Sequence, residues 1–270
     1  MLIDINAYVG HWPFQQLKYN TCEALHERMN KFGVDVSIIS NLNGIFYKNT
    51  QSANLELYDE IRSHKRFGDR FVPFAVINPI YAAWREDLET SIKKLGMKGV
   101  RMYPKYHDYE ITDPQSIELV KRVRDHGLPV AFTFRMVDSR QRSWMDIDYV
   151  TGTPKREWTM KNIIPIIEAV PDAKFMILNF ASGAALTEEE MNTLKKADVL
   201  IDTSGRTISN MSSYIKQYGK EKFAFGTHSP ILDYLSGMLR IESLRPDEAD
   251  ETTKELIRSG NVKKMLSSVL

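Results

Sequence analysis

The alternation of short apolar runs with helical patterns is the feature that most constrains the fold of this chain. The apolar runs are rich in β-branched and aromatic residues, which is typical of strands covered on both faces. The predicted strands read LIDIN, DVSIIS, RFVPFAVINP, MKGVRMYP, LPVAFTF, KFMILNF, DVLIDTS and KFAFGT. A regular strand–helix alternation predicts right-handed crossovers and a parallel sheet.

Eight such units in 270 residues match the size of a closed (β/α)8 barrel. We therefore predict an α/β protein with a single TIM-barrel domain over residues 1–270, closed by a helical segment near its C-terminus. An open doubly wound sheet is the main competitor. It is disfavoured because no GxGxxG or GxxxxGK(S/T) loop follows any predicted strand.

Particular residues predict where two of the helices begin. Asp113 stands before Pro114, the arrangement expected at an N-cap and a first helical position. Thr187 and Glu190 have the spacing of a capping box. The polar connection from Arg135 to about Arg156 is the longest stretch without clear periodicity, and long structured loops of this kind often act as lids.

Charge and cysteine content narrow the class of protein. The formal net charge is +1, which gives no sign of a nucleic-acid or acidic-membrane partner. Cys22 is the single cysteine, so a reducing compartment is expected. The N-terminal residues lack the basic region of a signal peptide, and no apolar run has the length of a bilayer span. We expect a cytoplasmic protein with no membrane partner, and the sequence leaves open whether it forms a homo-oligomer.

The functional site of such a barrel is expected at the C-terminal ends of the strands. The candidate residues at these ends are Asn6, Tyr8, Arg101, Tyr103, Thr133, Arg135, Asn179, Asp202, Arg206 and His228. Three are arginines from different strands, and an anionic group such as a substrate carboxylate or phosphate would offset their repulsion through bidentate hydrogen bonds. The opposing interpretation is that an arginine turns outward to pair with Asp202 or Asp4, since strand side chains alternate in direction.

Several segments, taken in order, resemble the amidohydrolase superfamily and in particular its amidohydrolase-2 branch of TIM-barrel hydrolases and decarboxylases. LIDINAYVG parallels the branch's opening D-x-H-x-H-x-G, and LGMKGVRMYP its G-x-K-G-V-K/R-L/M-x-P segment. HGLPVAFT is similar to G-L-P-V-x-x-H, FGTHSP to the closing F-G-S/T-D-x-P, and LIRSGNVKKML to the terminal helix. Their common order over nearly the whole chain carries the resemblance.

The resemblance implies one or two divalent metals held by histidines of the first, fifth and sixth strands and an aspartate of the eighth. The matching positions in this chain are Asn6, Tyr8, Thr133, Asn179 and His228, and every one departs from the pattern. Zinc needs three or four imidazole, thiolate or carboxylate ligands. Magnesium or calcium uses amide and carboxylate oxygens, but few carboxylates fall near the predicted site. We predict no bound metal and no other cofactor.

The resemblance extends to superfamily members that hydrolyse or isomerise lactones of small organic acids without metal, and it implies roles for the candidates. His228 is the expected general acid and base, Tyr8 a proton donor, and Asp202 or Asp4 the group that orients the imidazole. Arg101 and Arg135 are expected to hold a carboxylate and to stabilise developing negative charge. The residues expected to bind or position a small anionic organic substrate are Asn6, Arg101, Tyr103, Thr133, Arg135, Asn179 and Arg206.

Three functions stay open at this point. The first is a metal-independent hydrolase or isomerase acting on a small carboxylate, lactone or sugar acid. The second is a catalytically inactive barrel that binds a small anionic ligand or a protein partner, in which Asn6 and Asn179 pair with each other and His228 is structural. The third is a metal-dependent hydrolase with a rearranged site, which the residues support least.

Overall fold

The computed structural model describes residues 1–47, 49–134, 136, 159–179, 186–204 and 210–267. Within these ranges every strand pairing is parallel. The strands are β1 (Ile3–Val9), β2 (Val36–Asn41), β3 (Phe71–Pro73), β4 (Ala75–Val76), β5 (Val100–Met102), β6 (Pro129–Thr133), β7 (Lys174–Leu178), β8 (Asp198–Asp202) and β9 (Phe223–Ala224).

Helices separate the strands along the described chain, as the sequence predicts, except between β3 and β4. They are α1 (Cys22–Phe32), α2 (Asn43–Phe46), α3 (Thr50–Arg62), α4 (Lys65–Gly68), α5 (Trp84–Lys93), α6 (Pro104–His107), α7 (Pro114–Asp125), α8 (Ile164–Ala169), α9 (Glu188–Lys196), α10 (Met211–Tyr218), α11 (Tyr234–Glu242), α12 (Glu251–Glu255) and α13 (Asn261–Met265). Short 3-10 turns cover Met160–Asn162 and Lys220–Lys222, and a π-helical turn covers Leu256–Gly260. The C-terminal segment is therefore helical, as predicted.

The strands form one three-stranded sheet, β1-β2-β3, and one six-stranded sheet, β4 to β9 in sequence order. Backbone hydrogen bonds join the two sheets at both edges. On one side Lys98 N, just before β5, donates to Pro73 O of β3 at 2.8 Å. On the other side the segment after β9 meets β1, where His228 N donates to Asn6 O at 2.7 Å. The ring that results has the order expected of a TIM barrel, and the predicted fold class is confirmed.

One predicted strand, RFVPFAVINP, is divided in the structure into β3 and β4. The division falls at Phe74, whose N–H donates to Ile39 O while the next residue pairs toward β5. The Asn54 side chain of α3 then bonds both backbone groups of Val76, accepting from its N–H at 2.8 Å and donating to its carbonyl at 3.0 Å. A helix side chain here replaces ladder bonds, which apolar patterning does not reveal.

A β-bulge in β1 decides which of its side chains enter the barrel. The register with β2 shifts between Asp4 and Ala7. Ile3 and Ile5 pack in the inner cluster of the barrel, whereas Ala7 and Val9 pack in the outer cluster beneath the helices. Strict alternation would keep these four residues on one face of the sheet. The bulge therefore reverses the direction of the side chains part-way along β1.

The two predicted helix starts are found where expected. Thr187 and Glu190 form the predicted capping box at α9. Asp113 is the N-cap residue of α7 and Pro114 its first residue, but the Asp113 carboxylate accepts from Glu110 N instead of from the first turn. None of the helices in the described ranges combines the length and hydropathy that a bilayer crossing requires.

Candidate functional site

The predicted site residues that the structure describes, together with Ser204, meet at the C-terminal ends of β1, β5, β6, β7 and β8 and in the segment after β9. They fall into two groups. The amide cluster comprises Asn6, Asn179, Asp202, Ser204 and His228. The arginine cluster comprises Tyr8, Arg101, Tyr103 and Thr133. All nine residues are almost completely buried, with at most 3% of any of them exposed.

The Asn6 amide is the centre of the amide cluster. Its Nδ2 donates to Asn179 Oδ1 at 2.7 Å, to Ser204 Oγ at 3.0 Å and to Asp202 Oδ2. The Ser204 hydroxyl in turn reaches Asn179 Oδ1 at 3.0 Å and Asp202 Oδ2 at 2.7 Å. The two asparagines therefore do pair with each other, and they do so around a buried carboxylate.

Asp202 holds this cluster together from the end of β8. Its carboxylate accepts hydrogen bonds from Asn179 N, at 3.0 Å, and from Ser204 N, as well as from the two side chains already described. Burial raises the pKa of Asp202, and these hydrogen bonds act against that rise by favouring the charged form. Gly226 lies so close that an added Cβ would stand 2.5 Å from Asp202 Oδ1, so only glycine fits there.

Asp4 fastens β1 to the segment that carries His228. Its Oδ1 accepts from Asn6 N at 2.9 Å and from Thr227 N at 3.0 Å, and its Oδ2 accepts from the Thr227 hydroxyl. Burial raises the pKa of Asp4 to about 6, although the hydrogen bonds from Thr227 and Asn6 oppose the rise. The donors to Asp4 are thus Asn6 and Thr227. Asp4 therefore holds together the backbone of β1 and the backbone of the segment after β9.

Asn179 and His228 both have left-handed backbone conformations, with φ of 55° and 59°. Such conformations are uncommon for residues other than glycine and cluster at functional sites. In the amide cluster the two side chains meet, with Asn179 Nδ2 3.5 Å from His228 Nε2. The predicted alignment of the imidazole by Asp202 is therefore indirect in the described contacts, because Asn179 lies between them.

Arg101 is the centre of the arginine cluster and lies inside the barrel, not on its outer face. Its guanidinium carbon stands 4.5 Å from the centre of the Tyr8 ring. Two long hydrogen bonds, of 3.3 and 3.4 Å, run from its terminal nitrogens to Ala7 O and Ile5 O. Burial acts to lower the pKa of Arg101, but Tyr8, Tyr103 and Asp202 outweigh it, and the net shift is upward.

Four polar atoms of the arginine cluster have no well-directed hydrogen-bond partner among the described residues. They are Tyr8 OH, Arg101 Nε, Tyr103 OH and Thr133 Oγ1. Burial raises the pKa of Tyr8 and of Tyr103, so both phenols stay protonated at neutral pH. The cluster therefore presents one guanidinium and three hydroxyls, all able to donate hydrogen bonds. Buried donors without partners are rare, and they indicate a place for a ligand or water.

His228 connects the two clusters. Its ring meets the Tyr8 ring edge-on, with the ring centres 5.2 Å apart, while its Nε2 faces Asn179. His228 and Arg101 therefore both contact the Tyr8 ring. The predicted catalytic pair of His228 and Tyr8 is therefore brought together, and Arg101, Tyr103 and Thr133 join them.

Two predicted site residues lie outside the described residues. These are Arg135 and Arg206, so the predicted convergence of three arginines stays a prediction. Sequence reasoning also missed two contributors, Ser204 and Thr227. Ser204 follows Asp202 by two residues, the spacing at which an aspartate side chain commonly accepts a hydrogen bond from the backbone, and that spacing was its available signal.

The donor set does not fit the divalent metals that the family resemblance implies. The five matching positions carry two amides, a phenol, a hydroxyl and one imidazole. Among the residues that the structure describes, no three histidine, cysteine, aspartate or glutamate side chains are grouped so as to hold a metal ion. Asn6 turns an N–H donor, not an oxygen, toward the oxygens of its neighbours.

Comparisons with known proteins agree with this fold. The amidohydrolase family model matches residues 27–267. No curated protein matches the chain. The solved 2,6-dihydroxybenzoate decarboxylase from Rhizobium is 13% identical with a TM-score of 0.72, covering 99% of this chain and 98% of its own.

Two further solved structures have the same fold. A dihydroxybenzoic acid decarboxylase from Polaromonas, with bound manganese and 2-nitroresorcinol, is 14% identical with a TM-score of 0.69, covering 98% of this chain and 96% of its own. A 5-carboxyvanillate decarboxylase from Sphingomonas paucimobilis is 15% identical with a TM-score of 0.68, covering 98% of both chains. At these identities the likeness establishes the architecture.

Proposed function

The chain belongs to the amidohydrolase family, and we propose that it is an enzyme that acts on a small organic carboxylate, a lactone or a sugar acid without a catalytic metal. The observation that carries the proposal is the buried Arg101 guanidinium. No carboxylate among the described residues forms an ion pair with it, and three hydroxyls without well-directed partners surround it. A buried cation set among donors is a receptor for an anion.

The arginine cluster would bind the substrate through its carboxylate or the carbonyl oxygen of its lactone. Arg101 presents an N–H that has no partner among the described residues, and Tyr8, Tyr103 and Thr133 present hydroxyls beside it. In a water-poor site these groups also stabilise negative charge that develops on an oxygen during reaction. The known structural neighbours named above are decarboxylases of small aromatic acids, which supports a substrate of this size and charge.

His228 would serve as the acid and base. For a lactone, its imidazole takes a proton from the attacking water, the water oxygen bonds to the carbonyl carbon, and the proton returns to the ring oxygen as the ester bond breaks. Tyr8, whose ring contacts the imidazole, would donate a hydrogen bond from its hydroxyl to the oxyanion. Asn179 sets the position of the imidazole, and Asp202 acts through Asn179 as a positioning residue.

Binding tests this proposal before any substrate is known. Thermal shift and calorimetric titration would use benzoate, gluconate and glucono-1,5-lactone in the presence of a chelator, with methyl benzoate as the uncharged match for benzoate. We expect the carboxylates to bind and the ester not to bind. Arg101→Met should abolish carboxylate binding, and Arg101→Lys should weaken it by about tenfold or more, since an ammonium cannot form the bidentate pair.

Turnover of a lactone and sugar-acid panel then separates catalysis from binding. His228→Gln should bind carboxylates as the natural protein does but lose turnover. Equal binding of benzoate and its methyl ester, or full binding by Arg101→Met, would refute the anion site. Carboxylate binding that depends on Arg101, with no turnover of any panel member, would instead favour the inactive binding barrel.

A further inference from the structure

The position at the centre of the amide cluster is built like a small cation site but is filled by a side-chain amide. Asn179 Oδ1 at the end of β7 and Asp202 Oδ2 and Ser204 Oγ at the end of β8 all lie within hydrogen-bond distance of Asn6 Nδ2. We propose that the NH2 group of Asn6 is a built-in substitute for the divalent cation of this barrel family. It offsets the Asp202 charge and joins the strand ends that a metal would otherwise join.

The identity of the central atom follows from its surroundings. If the Asn6 amide were turned over, its oxygen would face the oxygens of Asn179 and Asp202, and the cluster would lose its donors. The two hydrogens of the Asn6 NH2 group cannot serve three oxygens, and the Ser204 hydroxyl supplies the third. Its single proton goes to Asn179 or Asp202, while its lone pairs accept from Asn6. Each of the three oxygens therefore accepts a hydrogen bond. In a metal site, each would instead donate a lone pair to the cation.

The same arrangement excludes a cation while the amide is present. A divalent ion and two N–H hydrogens cannot share one position, and the remaining carboxylate of the site, Asp4, is occupied by three donors from Asn6 and Thr227. Asn6 Oδ1 points away from the three oxygens and has no hydrogen-bond partner among the described residues. The Asn6 side chain thus replaces the cation with its NH2 group and leaves its Oδ1 atom as a hydrogen-bond acceptor on the opposite side.

The inference predicts that removing the amide will create a cation site. Asn6→Asp replaces the NH2 group by an oxygen and makes a set of two carboxylates, an amide oxygen and a hydroxyl, which are ligands suited to Mn2+, Mg2+ or Ca2+. Asn179→Asp is the matched control, because it adds the same charge to the same cluster but keeps the Asn6 amide. Aspartate also tolerates the left-handed backbone of position 179.

Mn2+ titration followed by electron paramagnetic resonance measures the result on the whole protein. We expect Asn6→Asp to bind one Mn2+ per chain, about 100-fold or more tightly than the natural protein or Asn179→Asp. Adding Asp202→Asn to Asn6→Asp should remove the gain. Asn6→Ser, which removes the amide without adding charge, should bind Mn2+ more weakly than Asn6→Asp but more tightly than the natural protein, and it stands in if Asn6→Asp does not fold.

Three results would overturn the inference. They are one tightly bound Mn2+ in the natural protein that Asp202→Asn removes, equal Mn2+ affinity in Asn6→Asp and Asn179→Asp, or no gain in folded variants lacking the amide. The inference does not rest on the proposed substrate. Its readout is metal binding, so carboxylate binding by Arg101 can stand or fall separately.

Discussion

The amide cluster and the arginine cluster are neighbours at one end of the barrel, and they treat a buried charge in opposite ways. The Asp202 carboxylate accepts hydrogen bonds from two backbone amides and two side chains. The Arg101 guanidinium makes two long bonds to carbonyls, and its Nε has no partner among the described residues. The protein itself satisfies the hydrogen bonds of the Asp202 carboxylate. The Arg101 guanidinium is left incompletely bonded and is available to a ligand.

This contrast distinguishes supporting residues from binding residues in a buried polar site. A fully hydrogen-bonded network is rigid, and losing a member leaves the others unsatisfied. An incompletely bonded group costs stability while the site is empty and gains its partners on binding. Substitutions in the amide cluster at positions other than His228, the proposed acid and base, should therefore act mainly on stability, and those in the arginine cluster mainly on ligand binding.

The largest effect is expected from Asp202→Ala. The change removes the acceptor for two buried backbone N–H groups, for the Asn6 amide and for the Ser204 hydroxyl, and it leaves a cavity. We expect the free energy of unfolding to fall by roughly 3 to 5 kcal/mol, measured by denaturant titration. Ser204→Ala is the control within the same cluster and should cost about 1 kcal/mol. Equal, small losses in both variants would mean that Asp202 does not organise the cluster.

The second effect is a dependence of stability on pH that comes from Asp4, beneath the amide cluster. Burial raises the pKa of Asp4 from 3.8 to about 6 in the folded protein. The folded state therefore holds this proton where the unfolded state has lost it, and the contribution to stability decreases as pH rises from about 4 to 6. The decrease is on the order of 2 to 3 kcal/mol.

Comparison with Asp4→Asn isolates this contribution. Asparagine does not titrate, so the unfolding free energy of the natural protein minus that of the variant should fall between pH 4 and pH 6 and level off above. The raised pKa of Asp202 acts in the same direction in both proteins, and because the Asp202 charge also raises the pKa of Asp4, the difference reports Asp4 together with its coupling to Asp202. A difference that is flat across this range, or that rises with pH, would contradict the assignment.

Most of the architecture could be predicted from the sequence, because each strand and helix has its own apolar period and the capping box at Thr187 and Glu190 is local. The division of the third predicted strand could not be predicted, since it depends on a hydrogen bond from Asn54 of another element. The identity of the site residues was readable at the strand ends. Their roles were not, because Asn6 and Asp202 are 196 residues apart in sequence and meet only in the barrel.

The direction in which a strand side chain points could not be predicted from the sequence either. Alternation alone left open whether Arg101 faces the barrel interior or pairs outside with Asp4 or Asp202. The structure places it inside, over the Tyr8 ring. The bulge in β1 reverses the alternation between Ile5 and Ala7, which apolar patterning alone does not reveal, and it turns both Asn6 and Tyr8 toward the barrel interior.

The third prediction concerns the stability of a variant in the arginine cluster, for comparison with Asp202→Ala in the amide cluster. Arg101→Met keeps an unbranched, flexible side chain but removes a buried charge that has no carboxylate partner among the described residues. The lost cation–π contact with Tyr8 and the removed desolvation penalty oppose each other, so we expect the unfolding free energy without ligand to change by no more than about 1 kcal/mol. A loss comparable to that of Asp202→Ala would mean that both clusters are structural.

The smallest effect on stability is expected from Thr133→Val, which keeps the shape of the side chain and removes one hydroxyl. Thr133 Oγ1 is buried and close to the Tyr8 and Tyr103 hydroxyls, but it has no well-directed hydrogen-bond partner among the described residues, so its loss breaks no well-formed bond. We expect the melting temperature to stay the same or rise slightly and carboxylate affinity to fall by about threefold to tenfold, the contribution of one hydrogen bond. Thermal unfolding and titration with benzoate measure the two effects on one preparation. Reduced stability with unchanged affinity would place Thr133 among the supporting residues and move the boundary between the clusters to the Tyr8 and Tyr103 hydroxyls.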